Sequence, residues 1–361
     1  MNEGQKLVVI RADASPTIGG GHIGRCWALA EAFEQVGLQW RIAFVFRPGT
    51  LHTVADLQAT TFECLEIDGP ADDEPAKMSE SWPVGCDLLV IDHYALDAAF
   101  EAACRPWARS MLVIDDLANR THQSDFLLDQ SNVRQEDDYR ALVGPACTLL
   151  LGSRYALLRR EFAEYRDQAL AHRRQSGGIR RVMVSMGAID PHDLTSMALE
   201  AIEKTGVDLA VDVVMGKNAH NLGMVRERLA GFPLPATIMV EAPNMAKLMT
   251  EADVAIGAFG MTSLERCCLG LPTLAVVTAE NQNANADGLS RAGAVVNLGG
   301  HSDLTVEALT AQFRALCDDP ERRLSLSERA AGICDGLGAR RVAAAVAGTP
   351  HAHIGERMLV S

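Results

Sequence analysis

Between Leu7 and Ala30 the chain reads LVVIRADASPTIGGGHIGRCWALA, and no other stretch narrows the possible folds as much. Leu7 to Ile10 is a short apolar run of the kind that forms a buried strand. Arg11 and Asp13 follow it, then a loop with Pro16 and three consecutive glycines, Gly19, Gly20 and Gly21. From Ile23 the pattern turns helical, with Ile23, Cys26, Trp27, Ala30 and Phe33 at three- and four-residue spacing. A strand, a glycine turn and a helix in that order set free backbone N–H groups beside a ligand. Glycine lets the backbone approach that ligand with no Cβ in the way. His22 projects from the start of the helix into the same space. Taken alone, the stretch also reads as an ordinary strand-to-helix turn with a surface histidine, because a lone glycine-rich loop is a weak signal.

The same unit recurs. Trp40–Phe46, Thr61–Ile67, Asp87–Ile91, Ser110–Ile114, Asp125–Leu128 and Leu149–Gly152 read as further strands. Helical spacing separates several of them, at Thr50–Gln58 and Ala98–Ala108. Alternation of this kind marks a parallel α/β sheet. Ligands of such sheets sit beyond the carboxyl ends of the strands. The polar residues just after the apolar runs are therefore the candidates: Arg11, Asp13, Asp92, His93, Tyr94, Asp115 and Asp116. Any one aspartate there has an ordinary role as a helix or turn cap; a set at one sheet edge points to a site. A dinucleotide enzyme is the obvious competitor. The loop from Ile10 to Gly19 is longer than the tight turn of the G-x-G-x-x-G fingerprint, and the second strand ends in Arg47 rather than an acidic ribose ligand.

The pattern restarts after a basic, glycine-containing segment, Arg173–Arg181, whose Ser176-Gly177-Gly178 is flexible in composition. Arg181–Met186, Leu209–Met215, Thr237–Val240, Val254–Ile256 and Thr273–Val277 read as strands, with helices from Asp193, Leu222 and Asn244. At about 150 residues per domain the length fits two domains. The boundaries read as 1–150 for an N-terminal domain carrying the histidine loop, 151–178 for a linker and hinge, 179–346 for a C-terminal domain and 347–361 for a tail. Two α/β domains joined by a hinge make a cleft, a preferred place for ligands. The second glycine block, Gly257 to Pro272, again leads a strand into a helix. Thr262 or Ser263 reads as its cap, and a phosphate fits its first amides. Glu265 reads either as a capping-box partner of Thr262 or as a carboxylate for both ribose hydroxyls. Asn281 and Gln282 read as sugar-contacting amides or as a polar turn.

The net charge of −14 argues against nucleic acid as a partner, which needs a basic face. Nine scattered cysteines without a C-x-x-C pair fit reduced thiols in a cytoplasmic protein rather than a zinc site. MNEGQK runs directly into a strand, unlike a secretory signal, and the apolar runs are strand-sized, so no membrane span is expected.

Taken together, GGGHIGRC, VIDHY, VIDDL, LGSRYALLRREF, VSMGAIDP and GAFGMTSLERCCLGLPTLAVVTAENQ resemble the UDP-sugar hydrolase family of pseudaminic acid biosynthesis, from about Val8 to Val342. The resemblance implies an α/β architecture of two Rossmann-like domains of the GT-B type facing an interdomain cleft. It implies a hydrolase that cleaves a UDP-linked diacetamido-trideoxy sugar at C1, with water as co-substrate and no cofactor or metal. It gives His22 as the catalytic histidine, Tyr94 and Asn281 as substrate contacts, Glu265 as the ribose ligand, and Ser263 with its neighbouring amides as the diphosphate contact. Gly20, Gly21, Arg25 and Gln282 complete the candidate sugar side; Gly187, Met245, Gly260 and Thr262 complete the UDP side. Met186-Gly187-Ala188 stands where a double glycine is usual, and Phe259 and Met261 where small residues are common. Asp13 is the candidate for orienting the His22 ring. A GT-B glycosyltransferase and a non-catalytic sugar-nucleotide binder remain alternatives, and the oligomeric state is open, a monomer included.

Overall fold

The structure, a computed structural model, describes residues 5–348 except 16–17, 37–38, 55–56, 58–59 and 176. Pro16, Gln58, Ser176 and the tail beyond Gly348 therefore lie outside the described residues.

The first lobe is a seven-stranded sheet of β1 (Lys6–Ala12), β2 (Trp40–Phe46), β3 (Glu63–Glu66), β4 (Leu88–Asp92), β5 (Met111–Ile114), β6 (Phe126–Asp129) and β7 (Thr148–Leu151). Its order is β3-β2-β1-β4-β5-β6-β7, with every pair parallel. Helices α1 (Gly21–Gln35), α2 (Thr50–Thr53), α3 (Glu74–Ser81), α4 (Ala98–Cys104) and α5 (Glu136–Tyr139) connect the strands. Parallel pairing needs such crossovers, which cover both faces of the sheet and make its strands apolar on both sides. Strand β1 illustrates this. Val8, Ile10 and Ala12 join one apolar cluster, and Leu7 and Val9 join the one on the opposite face. Each fully buried valine or isoleucine contributes roughly 1.5–3 kcal/mol, so the two-faced burial fixes the register of the strand.

The second lobe repeats the plan. Its strands are β8 (Arg181–Ser185), β9 (Ala210–Met215), β10 (Ala236–Val240), β11 (Val254–Ala258), β12 (Thr273–Val277) and β13 (Val296–Gly300), in the order β10-β9-β8-β11-β12-β13, again parallel. Helices α6 (Arg160–Gln175), α7 (Leu194–Thr205), α8 (Leu222–Ala230), α9 (Met245–Glu251), α10 (Thr262–Cys268), α11 (Asn283–Arg291), α12 (Val306–Asp318) and α13 (Pro320–Ala331) belong with it, and α14 (Gly338–Ala347) ends the described chain. Val182 and Val184 face one core and Met183 the other.

Two segments expected elsewhere change lobe or role. Residues 160–175, read as part of a 151–178 linker, form α6, which packs on α9, α10 and α13. Phe162 and Ala169 on α6 sit in a second-lobe core. Arg173, placed in the expected hinge, is buried and donates to the carbonyls of Met249, Thr250 and Ala252 at the end of α9. Helix α14, assigned with the C-terminal domain, returns to pack on α1, and Ala339, Val342 and Ala343 complete the first lobe's core. The physical reason is the same for both. An amphipathic helix goes where its apolar stripe is covered, and sequence position does not say which lobe offers the cover. Among the described residues no helix is long and apolar enough to cross a membrane.

Candidate functional site

In both sheets the strand order reverses beside the first strand, between β1 and β4 and between β8 and β11. A reversal leaves a crevice beyond the strand ends, because the two following connections leave in opposite directions. Those ends carry most of the residues singled out above.

In the first lobe, Gly20 caps α1 and His22 is its second residue. The ring is buried, with Nδ1 2.6 Å from Oδ1 of Asp92, the last residue of β4. Asp92 is fully buried, and burial alone would push its carboxyl up. The Arg25 guanidinium and the His22 ring hold it below the usual carboxylate range instead. A carboxylate only accepts, so Nδ1 carries the hydrogen, and in the neutral ring the lone pair is then on Nε2. Tyr94 meets the ring edge-on, with centroids 4.8 Å apart.

This arrangement corrects two expectations. Asp13 does not orient His22. It accepts from Arg11 Nη1 at 2.6 Å and the Arg47 N–H at 2.7 Å, and its Oδ2 lies 3.3 Å from His93 Nε2. It follows β1 on the side of β2, whereas Asp92 ends β4, beside the helix that carries the histidine. Arg25, expected among the substrate contacts, is bonded to carboxylates of its own lobe. It lies one helical turn after His22, is 4% exposed, and donates to both Asp92 oxygens at 2.6 Å and to Asp116 at 3.0 Å. The i, i+3 spacing of His22 and Arg25 places both on one helix face, which is the sequence signal for their shared partner.

The turn that carries Tyr94 is braced by a residue that sequence reasoning missed. Arg120 donates to the carbonyls of His93 at 3.2 Å and Leu96 at 3.1 Å, while its Nη1 binds buried Asp115 at 2.6 Å. In front, Asn281 of the second lobe comes up to the Tyr94 hydroxyl, and burial pushes that phenol up to about 12. The lobes also meet through Met261. Its sulfur lies 3.2 Å from Gln130 Nε2, and a Cβ added at Gly21 would stand 3.4 Å from its Cγ. The bulk of Met261 thus reaches the glycine loop of the opposite lobe.

In the second lobe, Gly187 follows β8 with φ +91°, Met245 opens α9 and is buried, and Gly260 and Thr262 flank Met261 at the start of α10. Ser263 is not an open donor. Its N–H and its hydroxyl both go to the Gly260 carbonyl, at 2.9 and 2.6 Å, and its oxygen accepts from Asn285 Nδ2 at 2.7 Å. Gln282 likewise turns inward, accepting from the Thr278 N–H at 2.9 Å and donating to its hydroxyl at 3.0 Å. Both residues brace loops, so of the ENQ amides only Asn281 faces the other lobe. Glu265 sits in the first turn of α10, and burial pushes its carboxyl up to about 7 against the pull of Arg159 and Arg266.

A pair of parallel sheets whose strand-order reversals face one another across a cleft is the GT-B architecture. MurG of Acinetobacter baumannii superposes with a TM-score of 0.70 over 95% of this chain and 99% of that one, at 15% identity. More particularly, residues 182–340 match the glycosyltransferase family 28 C-terminal domain. The chain is 24% identical over 299 residues to the UDP-2,4-diacetamido-2,4,6-trideoxy-beta-L-altropyranose hydrolase of Campylobacter jejuni, covering 79% of this chain and 97% of that protein. It is 33% identical over 168 residues to the spore coat polysaccharide biosynthesis protein SpsG of Bacillus subtilis, covering 46% of this chain and 49% of that protein, about half its length.

Proposed function

We propose that the protein hydrolyses a UDP-linked diacetamido-trideoxy sugar at C1, releasing UDP and the free sugar. The observation that carries this reading is the His22–Asp92 pair at one lobe's reversal, joined through Tyr94 to Asn281 of the other. The Campylobacter jejuni relative, a hydrolase by name, supports the substrate class.

UDP is a good leaving group, so the step needs a placed water and a base more than a strong acid. His22 Nε2 takes a proton from that water as its oxygen attacks C1. The C1–O bond to the β-phosphate breaks, and its electron pair leaves with UDP. Asp92 holds the imidazole in the productive tautomer and stabilises the positive charge that develops on it. Single displacement by water inverts the anomeric centre. Tyr94 and Asn281 contact the sugar, and Glu265 binds the ribose. The loop from Gly260 to Thr262 faces the diphosphate, with Gly187 and Met245 on the nucleotide side. No step runs through a metal, so turnover in EDTA is expected to equal turnover without it.

The test is a panel of UDP-sugars incubated in plain buffer, read by free UDP and by anomeric NMR. His22→Asn is expected to bind UDP like the parent while turnover falls by about 10²–10⁴-fold, the usual weight of a general base. Unchanged turnover in that variant removes His22 from the chemistry. A glycosyltransferase is the second reading, favoured by the family 28 match. It requires UDP release only when an acceptor is added.

A further inference from the structure

Five arginines of this fold are deeply buried among the described residues: Arg11, Arg25, Arg173, Arg266 and Arg323. Two of them sit against carboxylates and two at the carbonyl ends of helices. Arg11 pairs with Glu74 and Asp13, and Arg25 with Asp92 and Asp116. Arg173 takes the carbonyls that end α9, and Arg323 donates to Leu316 and Cys317 near the end of α12. The carbonyl end of a helix carries partial negative charge, so both are neutralised in part.

Arg266 has neither kind of partner. It is 2% exposed and lies in α10, behind the Phe259–Met261 loop. Nη2 donates to the Ala258 carbonyl at 2.6 Å, and Nη1 to the Thr262 hydroxyl at 3.2 Å. Nε is buried with no partner, and no ion pair to Arg266 occurs among the described residues. Glu265, next to it in the chain, favours the guanidinium electrostatically but makes no ion pair with it among the described residues. Strand β11 makes room for the group: a Cβ on Gly257 would stand 2.6 Å from Nη1. The fold therefore keeps a space for this guanidinium while giving it only neutral acceptors. Guanidinium stays protonated in proteins, and a buried charge left without a counter-charge is costly.

We infer that the missing counter-charge is an anion of the ligand, the diphosphate of a nucleoside diphosphate lying over the Gly260–Thr262 loop. Arg266 is then a positioning residue, acting on the diphosphate from behind the loop through Thr262 and the Ala258 carbonyl. It attracts the bound diphosphate and stabilises the charge that gathers on it as the glycosidic bond breaks. This rests on the nucleotide reading above and adds the residue that discriminates diphosphate from nucleoside.

The test is calorimetric titration of the parent, Arg266→Lys and Arg266→Met with UDP, uridine and inorganic pyrophosphate, with melting curves of each ligand-free protein. Arg266→Met is expected to lose about tenfold or more in UDP affinity, the weight of one charge-assisted contact, with uridine changed less than about twofold. Pyrophosphate is expected to compete with UDP on the parent and to weaken in parallel with it in Arg266→Met. Arg266→Lys is expected to recover most of the UDP affinity, and it carries the comparison should the methionine variant fail to fold. Without ligand, Arg266→Met is expected to melt no lower than the parent, because a cost has been removed. Equal loss of UDP and uridine, or UDP affinity unchanged in Arg266→Met, overturns the inference. Parent protein that binds UDP no better than uridine overturns it together with the nucleotide reading.

Discussion

At the scale of single residues, the site rests on which carboxylate faces which base. Asp92 and Asp13 are both held below the ordinary carboxylate range, yet their roles differ. Asp92→Asn leaves His22 facing an amide that can donate as well as accept, so the productive tautomer is no longer enforced. Turnover is expected to fall by about 10²–10⁴-fold with UDP affinity kept. Asp13→Asn touches Arg11, Arg47 and His93, and its expected effect is on stability. A depressed native pKa contributes stability that is present above the unfolded value near 3.9 and lost as pH falls through the native one. The melting difference between Asp13→Asn and the parent should therefore be largest at neutral pH and shrink below about pH 4. Glu265 works with the opposite sign. Its native pKa of about 7 lies above the unfolded one, so the charged form costs stability once pH exceeds the carboxylate range, in full above about 7. Glu265→Gln is expected to melt higher than the parent at pH 8 without ligand, to lose that advantage near pH 4, and to bind UDP more weakly. Melting curves at three pH values and one titration decide it. An unaltered UDP affinity would remove Glu265 from the ribose.

At the scale of elements, the helices are fixed by their ends as much as by their faces. Arg166 on α6 donates to the carbonyls of Cys268, Ala331 and Cys334, closing the last turns of α10 and α13. With Arg173 and Arg323 it ties four helix ends into the second lobe. Helix α14 depends on a close approach instead. A Cβ on Gly338 would stand 2.3 Å from the Ala156 carbonyl oxygen and 2.4 Å from its nitrogen. The clash is with backbone and cannot be relieved by a rotamer. Gly338→Ala is expected to lift the start of α14 away from residues 155–156 and cost about 2–4 kcal/mol. Urea denaturation with an unchanged slope and a lower midpoint would show this; an unchanged midpoint would mean that α14 docks loosely.

At the scale of the whole molecule, contacts between lobes include some from the candidate site itself, Tyr94 with Asn281 and Met261 with Gln130 and Gly21, beside others away from it, such as Gly288 of α11 against Val133 and Asn132. Asn281→Ala is expected to lower kcat/KM for the UDP-sugar by at least about tenfold while UDP affinity stays within about twofold, since the proposed function puts UDP on one lobe and the sugar between both. Equal losses for UDP and UDP-sugar would place Asn281 on the nucleotide instead. The sequence alone determined the strands except the half-exposed β13, because two-faced burial writes continuous apolar runs such as Trp40–Phe46 and Thr273–Val277, whose observed bounds match the pattern. It also determined that His22, Tyr94 and Asn281 stand at strand ends, because those runs stop where the crevice begins. Only the tertiary structure decided that Asp92 rather than Asp13 meets His22, that Arg25, Ser263 and Gln282 are spent on internal bonds, and that α6 and α14 each pack on the lobe they do. Periodicity reports which residues are buried, but a side chain's partner is set by strand order and helix docking, and these arise from contacts between residues far apart in the chain.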